Sequence, residues 1–203
     1  MLGLAAEFEF EAFVRLAGDA AAAPTAAARQ VVARSSVRAF ERHERFLDRL
    51  AELGADPVGA MAPFAGVVQD FELRTTSTTW AERLLKAYIG YGVADDFLRL
   101  LAQGADGTTR DLLLGSLGDP EHAELVLAEL RGADEVTSAR LALWGRRLVG
   151  DALAVVQGVV ARQPALGRLL AAGVPGEGDV VQRAFGALTA EHTRRMDGLG
   201  LTA

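Results

Sequence analysis

The chain has 203 residues, half of them hydrophobic and none of them cysteine, with a formal net charge of −6 at pH 7. Without cysteine it has no disulfide framework, thiolate metal site or cysteine nucleophile, so any metal must be bound by oxygen and imidazole ligands. The acidic balance disfavours a broad nucleic-acid-binding surface. Because the start lacks a basic leader region and no stretch approaches about 18 uninterrupted apolar residues, we expect a cytoplasmic protein without membrane contact.

The first half of the chain predicts a helical hairpin followed by a long connection. Abundant Ala, Leu and Arg with few β-branched runs indicate helices rather than strands. One helix is predicted from about Leu4 to Gly18, and a second follows Thr25 and ends near Leu53. The connection over residues 55–79 is broken by prolines and contains a short predicted helix around residues 64–73.

The second half predicts a central helix and several more. Thr79 and Glu82 form a capping box at the start of a helix that continues to about Ala102. This helix is apolar on both sides, which is typical of a buried position. The remaining predicted helical regions are Thr108–Arg131, interrupted at residues 118–120, then about Val136–Gln163, and Val180–Leu199.

A hairpin, a long crossover, another hairpin and two further helices are the order of a ferritin-like bundle rather than of a simple up-and-down one. We therefore predict an all-α protein with a ferritin-like four-helix bundle, one long crossover and two additional C-terminal helices. The whole chain, residues 1–203, is predicted to be a single domain. Its core bundle covers about residues 4–132 and its appended helices about 136–199.

Several of these helices place polar groups on faces that are otherwise apolar. Glu9 lies within the apolar stripe of the first helix, and His43, Asp95 and His122 interrupt later stripes. A buried charge is costly unless a cation or hydrogen bonds compensate it, and bundles build metal sites from inward-facing carboxylates and imidazoles. Alternatively, Glu9 is a buried acid bonded to a tyrosine, an arginine or water.

The other polar candidates also have a structural interpretation. Asp119 precedes Pro120 and Glu121, a pattern typical of a helix N-cap, whereas its spacing to His122 is that of an acid-x-x-His metal pair. His43 has no carboxylate three or four residues earlier, which favours a structural core histidine. Tyr88 and Tyr91 precede Asp95 at helical spacing, so the two tyrosines are candidates for lining a pocket.

Six segments carry a resemblance to a known family: residues 12–17 (AFVRLA), 48–57 (DRLAELGADP), 61–64 (MAPF), 86–90 (KAYIG), 143–150 (LWGRRLVG) and 191–196 (EHTRRM). In these the chain resembles actinobacterial ferritin-like proteins classed as MiaE-like, named for similarity to a tRNA hydroxylase with a non-haem di-iron centre. The resemblance implies a ferritin-like fold, iron as cofactor and tRNA as a candidate substrate. The acidic charge makes nucleic acid a less natural partner.

The resemblance also implies ligand positions, several of which this chain has changed. A di-iron site of this type takes a Glu from each of two helices and a Glu-x-x-His pair from each of the other two. Glu9 matches the first-helix ligand, and Asp119 with His122 keeps an acid-x-x-His pair. On the second helix Ala39 and Arg42 stand in place of the family's Glu and His, and Tyr91 stands where an acid is expected. The resemblance thus predicts a degenerate di-iron site.

The sequence is compatible with three functions. The first is a binding or structural module without a complete di-iron centre, with an unidentified small molecule as a candidate ligand. The second is an O2-dependent non-haem di-iron hydroxylase related to tRNA-modifying MiaE. The third is a mononuclear metal site formed by Glu9, His43, Asp95 and His122. Apolar residues predicted to be exposed, Val14 and Val37, permit a homodimer.

Overall fold

In the computed structural model, which describes all 203 residues, the chain forms ten α-helices, one short 3-10 helix over Ala62–Phe64 and no strand. The α-helices are α1 Leu2–Ala21, α2 Ala26–Glu52, α3 Pro57–Met61, α4 Gln69–Arg74, α5 Trp80–Ala102, α6 Gly107–Leu114, α7 Pro120–Leu130, α8 Glu135–Arg162, α9 Pro164–Gly173 and α10 Val180–Gly198. The prediction of an all-α protein is confirmed. None of these helices combines the length and the apolar character needed to cross a membrane.

The helices form two compact units. The first contains residues 1–70 and 119–125, and the second contains residues 71–118 and 126–203. Helix α7 is therefore divided between the units, since its first residues belong to one and its last to the other. The predicted division into a core bundle and appended helices stays a prediction.

The first unit is built on the hairpin of α1 and α2. Thr25 caps α2 because its side-chain oxygen accepts a hydrogen bond from the backbone N–H of Ala28 at 3.1 Å. The Ser36 hydroxyl donates to the Phe13 carbonyl, and His43 contacts the Ala6 carbonyl. His43 is farther from the turn than Ser36 on α2, and its partner Ala6 is farther from the turn than Phe13 on α1, so the two helices are antiparallel, as predicted.

Helix α3 packs closely against α1 in this unit. Asp56 caps α3 by accepting from the N–H groups of Val58 and Gly59, and Pro57 takes the first helical position. A Cβ at Gly3 would lie 2.0 Å from the Ala60 carbonyl oxygen, so only glycine permits this approach. The sequence pattern predicts one short helix at 64–73 in this connection, whereas the structure has α3 and α4 flanking the 3-10 helix.

Helix α5 is the centre of the second unit. It packs against α6, α8, α9 and α10, and buried residues occur on several sides of it, including Leu85, Ile89, Phe97 and Leu98. The predicted capping box is present: Thr79 accepts from the Glu82 N–H at 3.3 Å, and Glu82 accepts from the Thr79 N–H at 3.1 Å. The prediction that the helix beginning after Thr79 is central is confirmed for this unit.

Helix α9 is an element that the sequence analysis did not anticipate. It begins with Pro164 at its first position and buries Leu166 and Leu170. At its end Gly173 approaches the Leu100 carbonyl so closely that a Cβ would lie 2.1 Å from the oxygen. Proline ends the preceding helix but is also a favourable first residue of the next, which is why α8 and α9 follow each other with one residue between them.

Candidate functional site

Glu9 lies on the buried side of α1 and forms an ion pair with Arg42 of α2. Arg42 Nη2 and Glu9 Oε2 are 2.8 Å apart, and the two side chains are 13 % and 7 % exposed. Both residues belong to the first unit. Of the two interpretations of Glu9, the buried acid bonded to an arginine is the contact that the structure contains. Glu9 as a metal ligand stays a prediction.

His43 lies one residue after Arg42 and is also buried. Its Nδ1 is 2.8 Å from the Ala6 carbonyl oxygen, a contact in which the imidazole donates an N–H. The ring packs between Phe10 and Phe40, with centroid distances of 5.2 Å and 5.6 Å. These contacts agree with the structural interpretation of His43 as a core histidine.

Asp119 has both carboxylate oxygens engaged within the first unit. Its Oδ1 accepts from the His122 backbone N–H at 3.1 Å, which confirms the predicted N-cap of α7. Arg38 Nη2 donates to the same oxygen at 2.7 Å and to Oδ2 at 3.0 Å. Burial alone would raise the pKa of Asp119, but hydrogen bonds from His122, Ser35 and Arg38 outweigh it and lower the pKa below its ordinary value. The His122 side chain is buried nearby on the first turn.

Three arginines of α2, Arg34, Arg38 and Arg49, take part in ion pairs. Arg38 also contacts Glu121 at 2.7 Å, and Arg34 contacts the same carboxylate at 2.6 Å. Arg49 pairs with Glu52 at 3.0 Å. These contacts favour the interpretation of this face as a set of compensated surface charges rather than a phosphate-binding surface.

A second acid of α1, Glu7, is buried and was not recognised from the sequence. Burial and the neighbouring charge of Glu11 raise its pKa, while a hydrogen bond from the Gly66 backbone and the proximity of His43 oppose that rise. The only sequence signal was the alternation of acids at positions 7, 9 and 11, which cannot all face water on one helix.

The remaining predicted site residues belong to the second unit. Asp95 Oδ2 accepts from the Gly118 backbone N–H at 2.9 Å, and Tyr91 is half-buried on the same helix. The Tyr88 ring lies beneath the guanidinium of Arg195, whose Cζ is 6.0 Å from the ring centroid. Within neither unit do three or more His, Asp or Glu side chains converge in a way that could hold a metal ion.

The most buried ion pair of the second unit joins Asp96 to Arg195, and neither residue is among the predicted site residues. Asp96, next to Asp95, accepts from Arg195 Nη2 at 2.7 Å and from Arg99 Nη1 at 2.6 Å. Asp96 interrupts the apolar stripe of Ile89 and Val93 in the same way as Glu9 interrupts that of α1. The same stripe analysis could therefore have found it.

A comparison with protein families decides the relationship of this chain. A family model described as the ferritin-like domain of actinomycetes matches residues 1–173. The chain belongs to this family. The match covers α1 to α9 of the ferritin-like domain and ends at Gly173, so that α10 lies beyond it. No curated protein matches the chain.

Proposed function

We propose that this ferritin-like protein is a MiaE-like family member with a degenerate di-iron site, and that it acts as a binding or structural module rather than as a hydroxylase. The observation that carries the proposal is the buried ion pair between Glu9 and Arg42. The first-helix carboxylate of a di-iron site normally compensates metal charge. Here a guanidinium on the neighbouring helix supplies that compensation.

The resemblance to MiaE-like proteins relates this contact to the expected metal ligands. Arg42 stands where the family's second-helix histidine is expected, and Ala39, which is fully buried, stands where the paired glutamate is expected. For Fe(II) to reach Glu9 it would have to displace Arg42 or lie beside its positive charge. Either event is unfavourable in a poorly solvated site.

The retained acid-x-x-His pair supports the same proposal. Asp119 already accepts hydrogen bonds from the α7 backbone and from Arg38, on both of its oxygens. Binding iron through this carboxylate would break a helix cap and a charge-assisted hydrogen bond. The residues present therefore do not fit a di-iron group.

The test is iron binding under anaerobic conditions. The protein is incubated with Fe(II), passed through gel filtration and measured for iron by elemental analysis, beside Arg42→His, Glu9→Gln and the control Arg45→His, which changes an exposed arginine of the same helix. We expect the unchanged protein and the control to hold well below one iron per chain. Fe(II) should not raise their thermal midpoints.

Other iron contents would lead to other functions. Two irons per chain, lost in Glu9→Gln, would refute the proposal and favour the O2-dependent hydroxylase. One iron per chain, also lost in Glu9→Gln, would refute it in favour of the mononuclear site. Iron bound only by Arg42→His would support the proposal, because it would show that the arginine itself prevents binding.

A further inference from the structure

The second unit contains a buried polar cluster that the proposed function does not use. It consists of His192 and Arg195 on α10 with Asp96 and Gly92 on α5. Arg195 Nη2 donates to Asp96 at 2.7 Å and to the Gly92 carbonyl at 3.2 Å. A Cβ at position 92 would lie 2.4 Å from Arg195 Nε, so any residue larger than glycine would displace the guanidinium. The guanidinium is thus fixed in one orientation.

The other side of this cluster presents polar atoms that no protein group satisfies. Arg195 Nη1 is buried without a hydrogen-bond partner, and so are both ring nitrogens of His192. His192 is 2 % exposed and precedes Arg195 by three residues, which places the two side chains on the same face of α10. Buried donors of this kind are costly unless they bind something.

The charges around the cluster favour an anion. Asp96 is shared by Arg195 and Arg99, and the nearby Glu191 is paired with Arg194. In these ion pairs, three guanidinium groups therefore share two carboxylates. Burial and the positive charge of Arg195 lower the pKa of His192 to about 4, so the imidazole is neutral at pH 7. A neutral imidazole can donate one N–H to a ligand without adding a second buried charge.

We infer that Arg195 and His192 form a binding site for a small carboxylate anion, in which one ligand oxygen accepts from Arg195 Nη1 and the other from His192. A carboxylate offers two oxygens that accept hydrogen bonds, and it neutralises the excess positive charge. The site lies in the second unit on α10, so it does not depend on the Glu9–Arg42 pair or on whether iron binds.

Acetate is the probe for this site, and the His192 imidazole is the reporter. The chain has three histidines, so the His192 proton resonance can be assigned with a His192→Gln variant. Sodium acetate is added up to about 0.1 M against sodium chloride of equal ionic strength, a range that detects a millimolar Kd. We expect a saturable shift of the His192 resonance with acetate only. We also expect the pKa of His192 to rise by about one unit, since an anion favours the imidazolium.

Two pairs of variants locate the effect. Arg195→Gln should abolish the saturable shift, whereas Arg194→Gln, a neighbouring exposed arginine, should keep it. Should Arg195→Gln fail to fold, Gly92→Ala displaces the guanidinium more gently and should weaken acetate binding at least tenfold. Its matched control is Gly186→Ala, where a Cβ meets nothing within 4 Å.

The inference is overturned by either of two results. One is a His192 resonance that responds equally to acetate and chloride, which would mean that the response is a general effect of salt and that the cluster does not bind a carboxylate. The other is an acetate response that persists unchanged in Gly92→Ala and Arg195→Gln, which would mean that acetate binds elsewhere.

Discussion

The Glu9–Arg42 pair makes a quantitative prediction about stability. A guanidinium and a carboxylate with an N–O distance of 2.8 Å have charge centres about 4 Å apart, which gives an attraction of about 4 kcal/mol at an effective dielectric constant of about 20. Desolvation of both groups opposes this attraction. We therefore expect the pair to contribute a coupling energy of about 2 kcal/mol rather than the full Coulomb energy.

A double-mutant cycle measures this coupling. Arg42→Gln leaves Glu9 buried without its cation and should lower the free energy of unfolding by about 3 to 5 kcal/mol. Glu9→Gln should cost less, about 2 to 3 kcal/mol, because the amide oxygen still places a partial negative charge beside Arg42. The double variant should be less destabilised than the sum of the two by about 2 kcal/mol.

Urea unfolding followed by circular dichroism at 222 nm is the assay, because helices make up nearly all of the regular structure. The control is Arg45→Gln, an exposed change on the same helix that should cost less than about 0.5 kcal/mol. The reasoning would be refuted by additive single variants, which would mean that Glu9 and Arg42 do not interact. It would equally be refuted if Arg42→Gln increased the free energy of unfolding, since that result would mean that buried Glu9 is not stabilised by the positive charge of Arg42.

Three other changes test separate parts of the structure. Because the pKa of His192 is lowered to about 4, the unfolded chain binds the extra proton first, so stability should fall as pH drops from about 6.5 to 4, by at most about 1.4 kcal/mol per pH unit. Urea unfolding of His192→Leu should show a shallower fall, and a pH profile identical to that of the unchanged protein would contradict the lowered pKa of His192. Because burial raises the pKa of Glu7, the stabilising contribution of its protonated form is lost as pH rises through that pKa. Glu7→Gln should therefore increase the urea midpoint at pH 7 and change it little near pH 4, and a decrease at pH 7 would argue against burial as the cause of the raised pKa. Asp119→Ala should lower stability by about 2 kcal/mol through loss of the cap and of the Arg38 ion pair, whereas Asp119→Asn retains capping and the cap-only control Asp134→Ala should cost about 1 kcal/mol. In urea titrations, an Asp119→Ala loss no larger than that of Asp134→Ala, with no loss in Asp119→Asn, would show that Arg38 contributes nothing.

The sequence predicts the helices well because their signals are local. Thr79 with Glu82 marks the start of α5, and apolar residues on both of its sides indicate its central position. Helix α9 was missed because Pro164 is both a terminator and a first residue, and the sequence does not show which role applies. The spacing of Leu166 and Leu170 was the signal available for it.

The buried acids show where local analysis ends. That Glu9 faces the core follows from the stripe of α1, but its partner depends on how α2 is rotated against α1. That rotation brings Arg42 to Glu9 and directs His43 to the Ala6 carbonyl. A stripe gives the direction of a side chain and not the identity of the group opposite, so a metal, an arginine and a water were equally compatible with it.

Helix α7, whose first residues complete the first unit, also limits how the chain can be divided and how it can fold during synthesis. A fragment ending at residue 70 would retain Arg34 and Arg38 but lose Asp119 and Glu121, their ion-pair partners. During synthesis α1 to α3 are translated first, and residues 71–118 must be translated before Asp119 and Glu121 are present. The first unit therefore reaches its final set of contacts only after much of the second unit has been translated.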